Sequence, residues 1–256
     1  MQRNFPFMML LISITVLIGY QAQGEPLELP ANSVSKGKII YEQACKWCHG
    51  GSGAGDGPAG FFTGPYSSPR ARDFTVGNFR FRSTPTGEFP TDQDLVRVIT
   101  KGIPGYMPSF AGLPRQAVYD VIGYLKTFIP DIVEGDLPLP MTIENLSIPP
   151  TPDSIQKGRE AYFKFTCQEC HGIGGRGIER VAKADQLLDS SSLPITPTDL
   201  TNRFAFKNGW SARDIVRTLM TGLDGSPMPS FANELQSRIA DAWHLANFIR
   251  SWSSDP

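Results

Sequence analysis

The sequence lacks the residues and motifs on which several large classes of function depend. Its 256 residues include only four cysteines and three histidines, and a formal net charge of −1 provides no basic field for nucleic acid. It contains no G-x-S-x-G, no H-E-x-x-H and no G-x-x-x-x-G-K-[ST] motif. Strand-like apolar runs are scarce, whereas 25 glycines and 22 prolines predict many turns. These absences argue against a serine hydrolase, a zinc protease or a P-loop enzyme.

Long apolar runs are also absent, except at the N-terminus. Arg3 precedes an apolar run from Phe5 to Tyr20, and small residues follow at Ala22 and Gly24. This is the layout of a secretory signal peptide over residues 1–24. The run of 16 residues is shorter than the ~20 that a membrane span needs. An uncleaved membrane anchor is the alternative, so we expect contact with a membrane only if this segment is retained.

All four cysteines lie in two copies of one pentapeptide, C-x-x-C-H. The copies consist of Cys45, Cys48 and His49, and of Cys167, Cys170 and His171. This is the attachment pattern of haem c, in which two thiols add to the vinyl groups and the His binds iron. The alternatives are two disulfides, a four-cysteine zinc site and a thioredoxin-like pair. The His after each pair disfavours disulfides. The 119-residue gap between the pairs disfavours the zinc site, and the lack of a βαβ setting disfavours the thioredoxin-like pair.

Two covalently bound haem c groups are therefore predicted, and their attachment outside the cytoplasm agrees with export to the periplasm. The two motifs belong to an internal repeat, because His49 and His171 are 122 residues apart and Met107 and Met228 are 121 apart. A repeat of this length predicts two copies of one domain. The predicted domains cover residues 31–130 and 154–256, joined by a proline-rich linker over 131–153 and preceded by the signal peptide.

Each half contains the same series of predicted helices, so the expected fold class is all-α. One helix precedes the first haem motif over residues 34–44, and terminal helices lie at 115–128 and 235–252. Two further helices follow capping boxes at Thr91 and Ser211 and end before Gly102 and Gly222. The apolar face predicted for the first helix consists of Val34, Ile39, Ile40, Tyr41 and Ala44.

A second repeated motif, Met-Pro-Ser-Phe, follows each capped helix. Met107 and Met228 lie 58 and 57 residues after their histidines. A residue before proline is displaced from helical geometry, so each Met is expected on an extended loop, where its thioether can bind iron. Met141 and Met220 lack this context and are interpreted as packing residues. His244, the only histidine outside the motifs, is interpreted as a surface or half-buried helical residue.

A loop in the middle of each half carries paired aromatics and several arginines. We expect the aromatics to pack near a haem or in the core; they are Phe79, Phe81, Phe204 and Phe206. Two interpretations are open for Arg80, Arg82 and Arg203, namely pairing with haem propionates or facing solvent. The solvent-facing interpretation is favoured.

This order of motifs resembles the class I cytochrome c domain, here in tandem, as in dihaem cytochromes c of bacterial respiratory chains. The resemblance covers roughly residues 34–128 and 154–252. It implies His49 and Met107 on one iron, and His171 and Met228 on the other. It also implies that the terminal helix of each domain crosses the helix before the haem motif. That crossing would use Tyr124 and Phe248, with Gly37 and Gly158 permitting the close approach.

The resemblance implies a protein that transfers electrons and performs no chemistry on a substrate. Its expected partners are a redox donor and a redox acceptor, and it acts as a carrier or as the cytochrome subunit of a periplasmic or membrane oxidoreductase complex. The alternative is a dihaem cytochrome c peroxidase. That enzyme needs one iron with an open distal position, which the two Met-Pro loops disfavour.

Overall fold

The computed structural model describes residues 32–62, 70–129, 139–143, 146–177 and 187–253. The predicted signal peptide lies outside these ranges, as do residues 131–138 and 144–145 of the predicted linker. Within them the chain is helical and has no β-strand, only two isolated bridges, so the all-α prediction is confirmed. Over the same ranges, no helix has both the length and the hydropathy of a membrane span.

The two halves of the chain repeat one series of helices. The first half contains α1 (Ser33–Ala44), α2 (Lys46–His49), α3 (Pro58–Phe62), α4 (Asp92–Lys101) and α5 (Arg115–Lys126). The second half contains α6 (Pro152–Lys164), α7 (Gln168–His171), α8 (Ala212–Thr221), α9 (Ala232–Leu235) and α10 (Ile239–Ser251), with 3₁₀ turns at Arg203–Ala205 and Gln236–Arg238. α6 begins two residues before the end of the predicted linker, because the side chain of Thr151 caps it.

The sequence predicts one unbroken helix over residues 235–252, but the structure divides this segment. Arg238 leaves helical geometry, with φ −137° and ψ 46°, and separates the short helices from α10. The break allows Leu235 and the apolar face of α10 to reach the core from different directions. Leu235 is completely buried as a result.

Each half is held together where its first and last long helices cross. A Cβ atom on Gly37 would lie 1.9 Å from the carbonyl oxygen of Asp120, and one on Gly158 would lie 2.0 Å from that of His244. The backbones of α1 and α5, and of α6 and α10, therefore come into direct contact. The expected close approach at these two glycines is confirmed, and Tyr41 packs edge-on against Tyr124 beside it.

The apolar face predicted for α1 is largely wrong. Its buried residues are Ser33, Gly37 and Tyr41, whereas Val34 and Ile39 are exposed. α1 has one main helical neighbour, α5, and crosses it closely. A close crossing buries a narrow stripe of residues four apart, and two of these must be small.

Helices α4 and α8 begin and end as their capping signals predict. The Thr91 hydroxyl accepts a hydrogen bond from the Asp94 amide at 3.2 Å, and the Asp94 carboxylate accepts one from the Thr91 amide at 3.1 Å. At α8 the Ser211 hydroxyl accepts from the Asp214 amide at 3.1 Å. Both helices end at glycines with positive φ, 70° at Gly102 and 65° at Gly222.

The domains meet through buried arginines, and here the favoured sequence interpretation is wrong. Arg80 is 7% exposed and Arg82 is 0% exposed, so neither faces solvent. Arg82 donates to the carbonyl oxygen of Thr221 at 2.8 Å and pairs with Asp224 at 2.9 Å. A guanidinium has five donors, and those on Nε and Nη1 of Arg82 donate to carbonyl oxygens of its own loop, at Pro85 and Phe79. Arg203, in contrast, is half-buried.

The remaining packing predictions agree with the structure. Met220 is buried in the core of the second domain, and Met141 packs against the same core. His244 is half-buried on α10, and its Nδ1 lies 2.8 Å from the hydroxyl of Ser154. None of these three side chains lines either cavity described below.

Candidate functional site

A cavity lies in each domain among the described residues, and four of the predicted site residues line each of the two. Cys45, Cys48, His49 and Met107 line the first, and Cys167, Cys170, His171 and Met228 line the second. The cavities measure about 160 Å³ and 410 Å³. The structure therefore brings together each predicted set of thiols, imidazole and thioether. Iron binding by the imidazoles and thioethers stays a prediction.

The two histidines are oriented by backbone carbonyl groups. Nδ1 of His49 donates to the carbonyl oxygen of Arg72, and Nδ1 of His171 donates to that of Thr198, both at 3.1 Å. This hydrogen bond fixes the tautomer and leaves Nε2 unprotonated and available for a metal. Burial lowers the pKa of both imidazoles, which favours the neutral form that binds iron.

An aspartate turn holds each of these carbonyl groups in place. The carboxylate of Asp73 accepts from the amide and hydroxyl of Thr75 at 2.8 and 2.6 Å. Asp199 accepts from the amide and hydroxyl of Thr201 at 2.9 and 2.6 Å. Sequence reasoning missed this role, although the repeated pattern Asp-x-Thr signals an Asx turn.

The glycine-rich segment after each motif is tied to the preceding helix. The hydroxyl of Tyr41 donates to the carbonyl oxygen of Gly50 at 2.7 Å, and Tyr162 makes the same bond to Gly172 at 2.6 Å. Both glycines have positive φ, 77° and 75°, a conformation that glycine adopts without a steric penalty. Each tyrosine thereby connects the helix crossing to the residue directly after the histidine.

The methionine loops are built on the ends of α4 and α8. The amide of Ile103 donates to the carbonyl oxygen of Met107 at 2.8 Å, and Leu223 makes the equivalent bond to Met228 at 3.1 Å. A Cβ atom on Gly102 would lie 2.6 Å from the Met107 carbonyl oxygen, so only glycine permits this tight return.

The serine of each Met-Pro-Ser-Phe motif secures the far side of its loop. The hydroxyl of Ser109 donates to the carbonyl oxygen of Thr100 at 2.6 Å, and Ser230 donates to that of Met220 at 2.5 Å. These bonds satisfy carbonyl groups in the last turn of each helix, which have no partner within the helix itself. The motif therefore fixes the methionine backbone on both sides.

The cavities suit haem c better than a free metal ion. Imidazole and thioether are the axial ligands of a cytochrome c iron, and two thiols beside them match its covalent attachment. In the first domain, aliphatic residues form much of the remaining wall: Leu95, Val98, Ile99, Val121 and Leu125. Among the described residues, no group of three or more His, Cys, Asp or Glu side chains offers another metal site.

The two cavities share part of their walls. Arg80 and Phe81 of the first domain line both cavities. Phe79 is buried and Phe206 packs on Trp210. Phe79, Phe81 and Phe206 therefore lie where the sequence predicts. The prediction for Phe204 is wrong, because it is 72% exposed and lies in a 3₁₀ turn.

Comparisons with known proteins agree with this arrangement. Residues 32–125 and 153–249 each match the family described as cytochrome c oxidase, cbb3-type, subunit III. A chain of the reducing HAO-like protein complex of Kuenenia stuttgartiensis is similar to this chain at 34% identity and a TM-score of 0.79. The alignment covers 89% of this chain and 100% of that one. A search of curated proteins found no significant match.

The chain therefore belongs to the cytochrome c family represented by subunit III of the cbb3-type oxidases, and it carries two consecutive copies of the domain. The prediction of tandem cytochrome c domains is confirmed. Domains of this family bind haem c, and the protein is an electron-transfer cytochrome.

Proposed function

We propose that this protein is a periplasmic two-haem cytochrome c that transfers electrons between redox partners as part of an oxidoreductase complex. The observation that carries the proposal is the wall shared by the two cavities. Arg80 and Phe81 contact both, so only a thin layer of side chains separates the two sites. Because electron tunnelling decreases steeply with distance, adjacent sites in one chain favour transfer from one site to the other.

The chain's own side chains define what each site does. The cysteines would anchor the cofactor, and His49 and Met107 in the first domain, and His171 and Met228 in the second, would be the protein ligands of its iron. When bound, each haem supplies a one-electron iron couple. A thioether ligand raises the reduction potential relative to a second imidazole, and an apolar wall favours the reduced, less charged iron. Both ligand positions are filled by the protein, which suits electron transfer and not peroxide chemistry.

The two sites are expected to differ in potential. The second cavity is larger, and polar side chains contribute to its wall, among them Glu169, Lys207 and Thr218. The first is smaller, and aliphatic side chains form much of its wall. Greater enclosure destabilises the charged ferric state, so the first haem has the higher potential. Electrons then enter at the second domain and leave from the first.

The relative in the HAO-like complex supports a role as a fixed subunit. The similarity covers the whole of that chain, which is part of a redox complex by its description. We infer a partner of the same kind for this protein, an oxidoreductase outside the cytoplasm. Export through the signal peptide over residues 1–24 belongs to this proposal.

A redox titration of the purified holoprotein, followed by its absorption spectrum, tests the proposal. We expect two low-spin haems with methionine–iron charge-transfer absorption and two separate potentials. Met107→Ala and Met228→Ala should each remove this absorption from one haem and lower its potential. Met220→Leu is the matched control, because Met220 lies in the core and outside both cavities. A haem that becomes high-spin at half reduction and reacts with peroxide would favour the peroxidase instead.

A further inference from the structure

A loop of the first domain makes most of its polar contacts with the second domain. We call residues 79–87 the arginine loop. Its Arg82 donates from Nε to Pro85 and from Nη1 to Phe79, at 3.0 and 3.1 Å, and so organises its own loop. The remaining nitrogen, Nη2, contacts Thr221 and Asp224 of the second domain at 2.8 and 2.9 Å. Every guanidinium nitrogen of this buried side chain thus has a partner.

Three further residues of the arginine loop form hydrogen bonds to the segment of the second domain over residues 221–225. Arg80 donates from Nη2 to the carbonyl oxygen of Gly225 at 2.8 Å. The Thr86 hydroxyl donates to the carbonyl oxygen of Thr221 at 3.0 Å, and the Gly87 amide donates to the carboxylate of Asp224 at 2.9 Å. Residues 221–225 are therefore held from one side by the other domain.

The segment held in this way leads directly to the second methionine loop. Thr221 is the last residue of α8, and Gly225 lies three residues before Met228. Within the segment, the Leu223 amide donates to the carbonyl oxygen of Met228 at 3.1 Å. The position of Met228 consequently depends on a backbone that the arginine loop fixes.

We propose that Arg80 and Arg82 of the first domain are positioning residues for Met228, the distal ligand of the second iron. The inference rests on the proposed haem ligation and extends it, because the second haem then depends on the first domain for its potential. The first methionine loop is contacted from the second domain through Lys207, whose Nζ lies 5.1 Å from the ring centroid of Tyr106.

Two substitutions separate positioning from simple electrostatics. Arg82→Gln removes a positive charge, and Asp224→Asn removes its negative partner. If the pair positions Met228, both variants loosen the loop, weaken the methionine–iron bond and lower the potential of the second haem. If only charge matters, loss of Asp224 raises this potential and leaves the methionine–iron absorption intact.

The test is a redox titration of these holoprotein variants. In the titration, the redox transition whose potential is lowered in Met228→Ala belongs to the second haem. We expect Arg82→Gln and Asp224→Asn to lower the potential of that transition and to reduce the charge-transfer absorption of the second haem. The potential and absorption of the first haem should stay unchanged. Because removing one partner of a buried pair is strongly destabilising, Thr86→Val supplies a milder variant that loses one hydrogen bond. It should produce a smaller shift in the same direction.

Arg97→Gln is the matched control. Arg97 also crosses the interface and donates at 3.0 and 2.9 Å to Asn208, which lines the second cavity, but it does not donate to residues 221–225. An equal shift in this variant, a raised potential in Asp224→Asn, or unchanged spectra in all variants would overturn the inference. Absence of methionine–iron absorption in the unmodified protein would instead overturn the ligation on which both proposals depend.

Discussion

Single residues hold the two histidines through the same contacts in both domains. Each imidazole is fixed by a carbonyl group, each carbonyl group precedes an aspartate turn, and each tyrosine hydroxyl bonds to the glycine after the histidine. This agreement extends to Asp73 and Asp199, whose side chains line neither cavity. It indicates that the orientation of the ligand, and not only its identity, is built into the repeat.

The aspartate turns can be tested at one of these residues. Asp199→Ala removes two hydrogen bonds to Thr201 and should lower the free energy of unfolding by about 1–2 kcal/mol. Asp199→Asn retains an acceptor for the same turn and should recover most of the loss. Thermal unfolding of the holoprotein measures both, and equal stability of the two variants would contradict the role assigned to the turn.

The helix crossing also depends on one residue in each domain. Gly158→Ala places a Cβ atom 2.0 Å from the backbone of His244, so α6 and α10 must separate. We expect a loss of roughly 1–3 kcal/mol, the usual cost of overpacking.

Gly174→Ala is the control in the same domain, because a Cβ atom there meets nothing within 4 Å. Its unfolding midpoint should stay close to that of the unmodified protein. A similar loss in both variants would mean that glycine itself, and not the close approach, accounts for the effect.

At the scale of whole elements, α4 and α8 carry the methionine loops on their C-terminal ends. Both helices start at a capped residue and stop at a glycine, so their lengths are set by local sequence. These boundaries were predictable because capping requires only neighbouring residues. The face of α1 was not, since burial there is decided by α5, which is distant in sequence.

Removal of the N-terminal cap of α8 tests how much the Ser211 side chain stabilises this helix. Ser211→Ala should lower the free energy of unfolding by about 1 kcal/mol, because the Asp214 amide loses its acceptor. Ser211→Asn, which also caps helices well, should restore stability. Chemical denaturation followed by helical circular dichroism provides the measurement, and a full loss in the Asn variant would argue against capping.

At the scale of the whole molecule, the domains are joined by ion pairs, one of them almost completely buried. Arg82 with Asp224, and Arg97 with Asp214 at 3.9 Å, connect the first domain to the second. Residues 139–143 add to the junction, because the Met141 amide donates to the carbonyl oxygen of Ser83 at 2.8 Å. Such an interface favours two domains that unfold together.

Calorimetry of the holoprotein should accordingly show one unfolding transition. The double variant Arg82→Gln and Arg97→Gln should show two, because the domains lose the ion pairs that join them and unfold separately. Arg213→Gln, an exposed position on α8, should keep the single transition. Two transitions in the unmodified protein would contradict this coupling.

The limits of sequence reasoning follow from the same difference in scale. The thiols and histidines that meet in the cavities could be named from the sequence because the attachment motif has a fixed spacing, and the methionines because Met-Pro-Ser-Phe is repeated. The burial of Arg80 and Arg82 was not, because it depends on Asp224 and on backbone carbonyl groups more than 130 residues away. A charge in a loop gives no local sign of a partner that lies in another domain.

The two cavities also differ in which domains supply their lining residues. Every residue that lines the first cavity lies between positions 44 and 125, whereas Arg80 and Phe81 of the first domain complete the second. The lining of the first cavity thus comes from one domain, and that of the second comes from both. Synthesis proceeds from the N-terminus, so the half that supplies Arg80 and Phe81 is made first, and the second cavity forms against side chains that already exist.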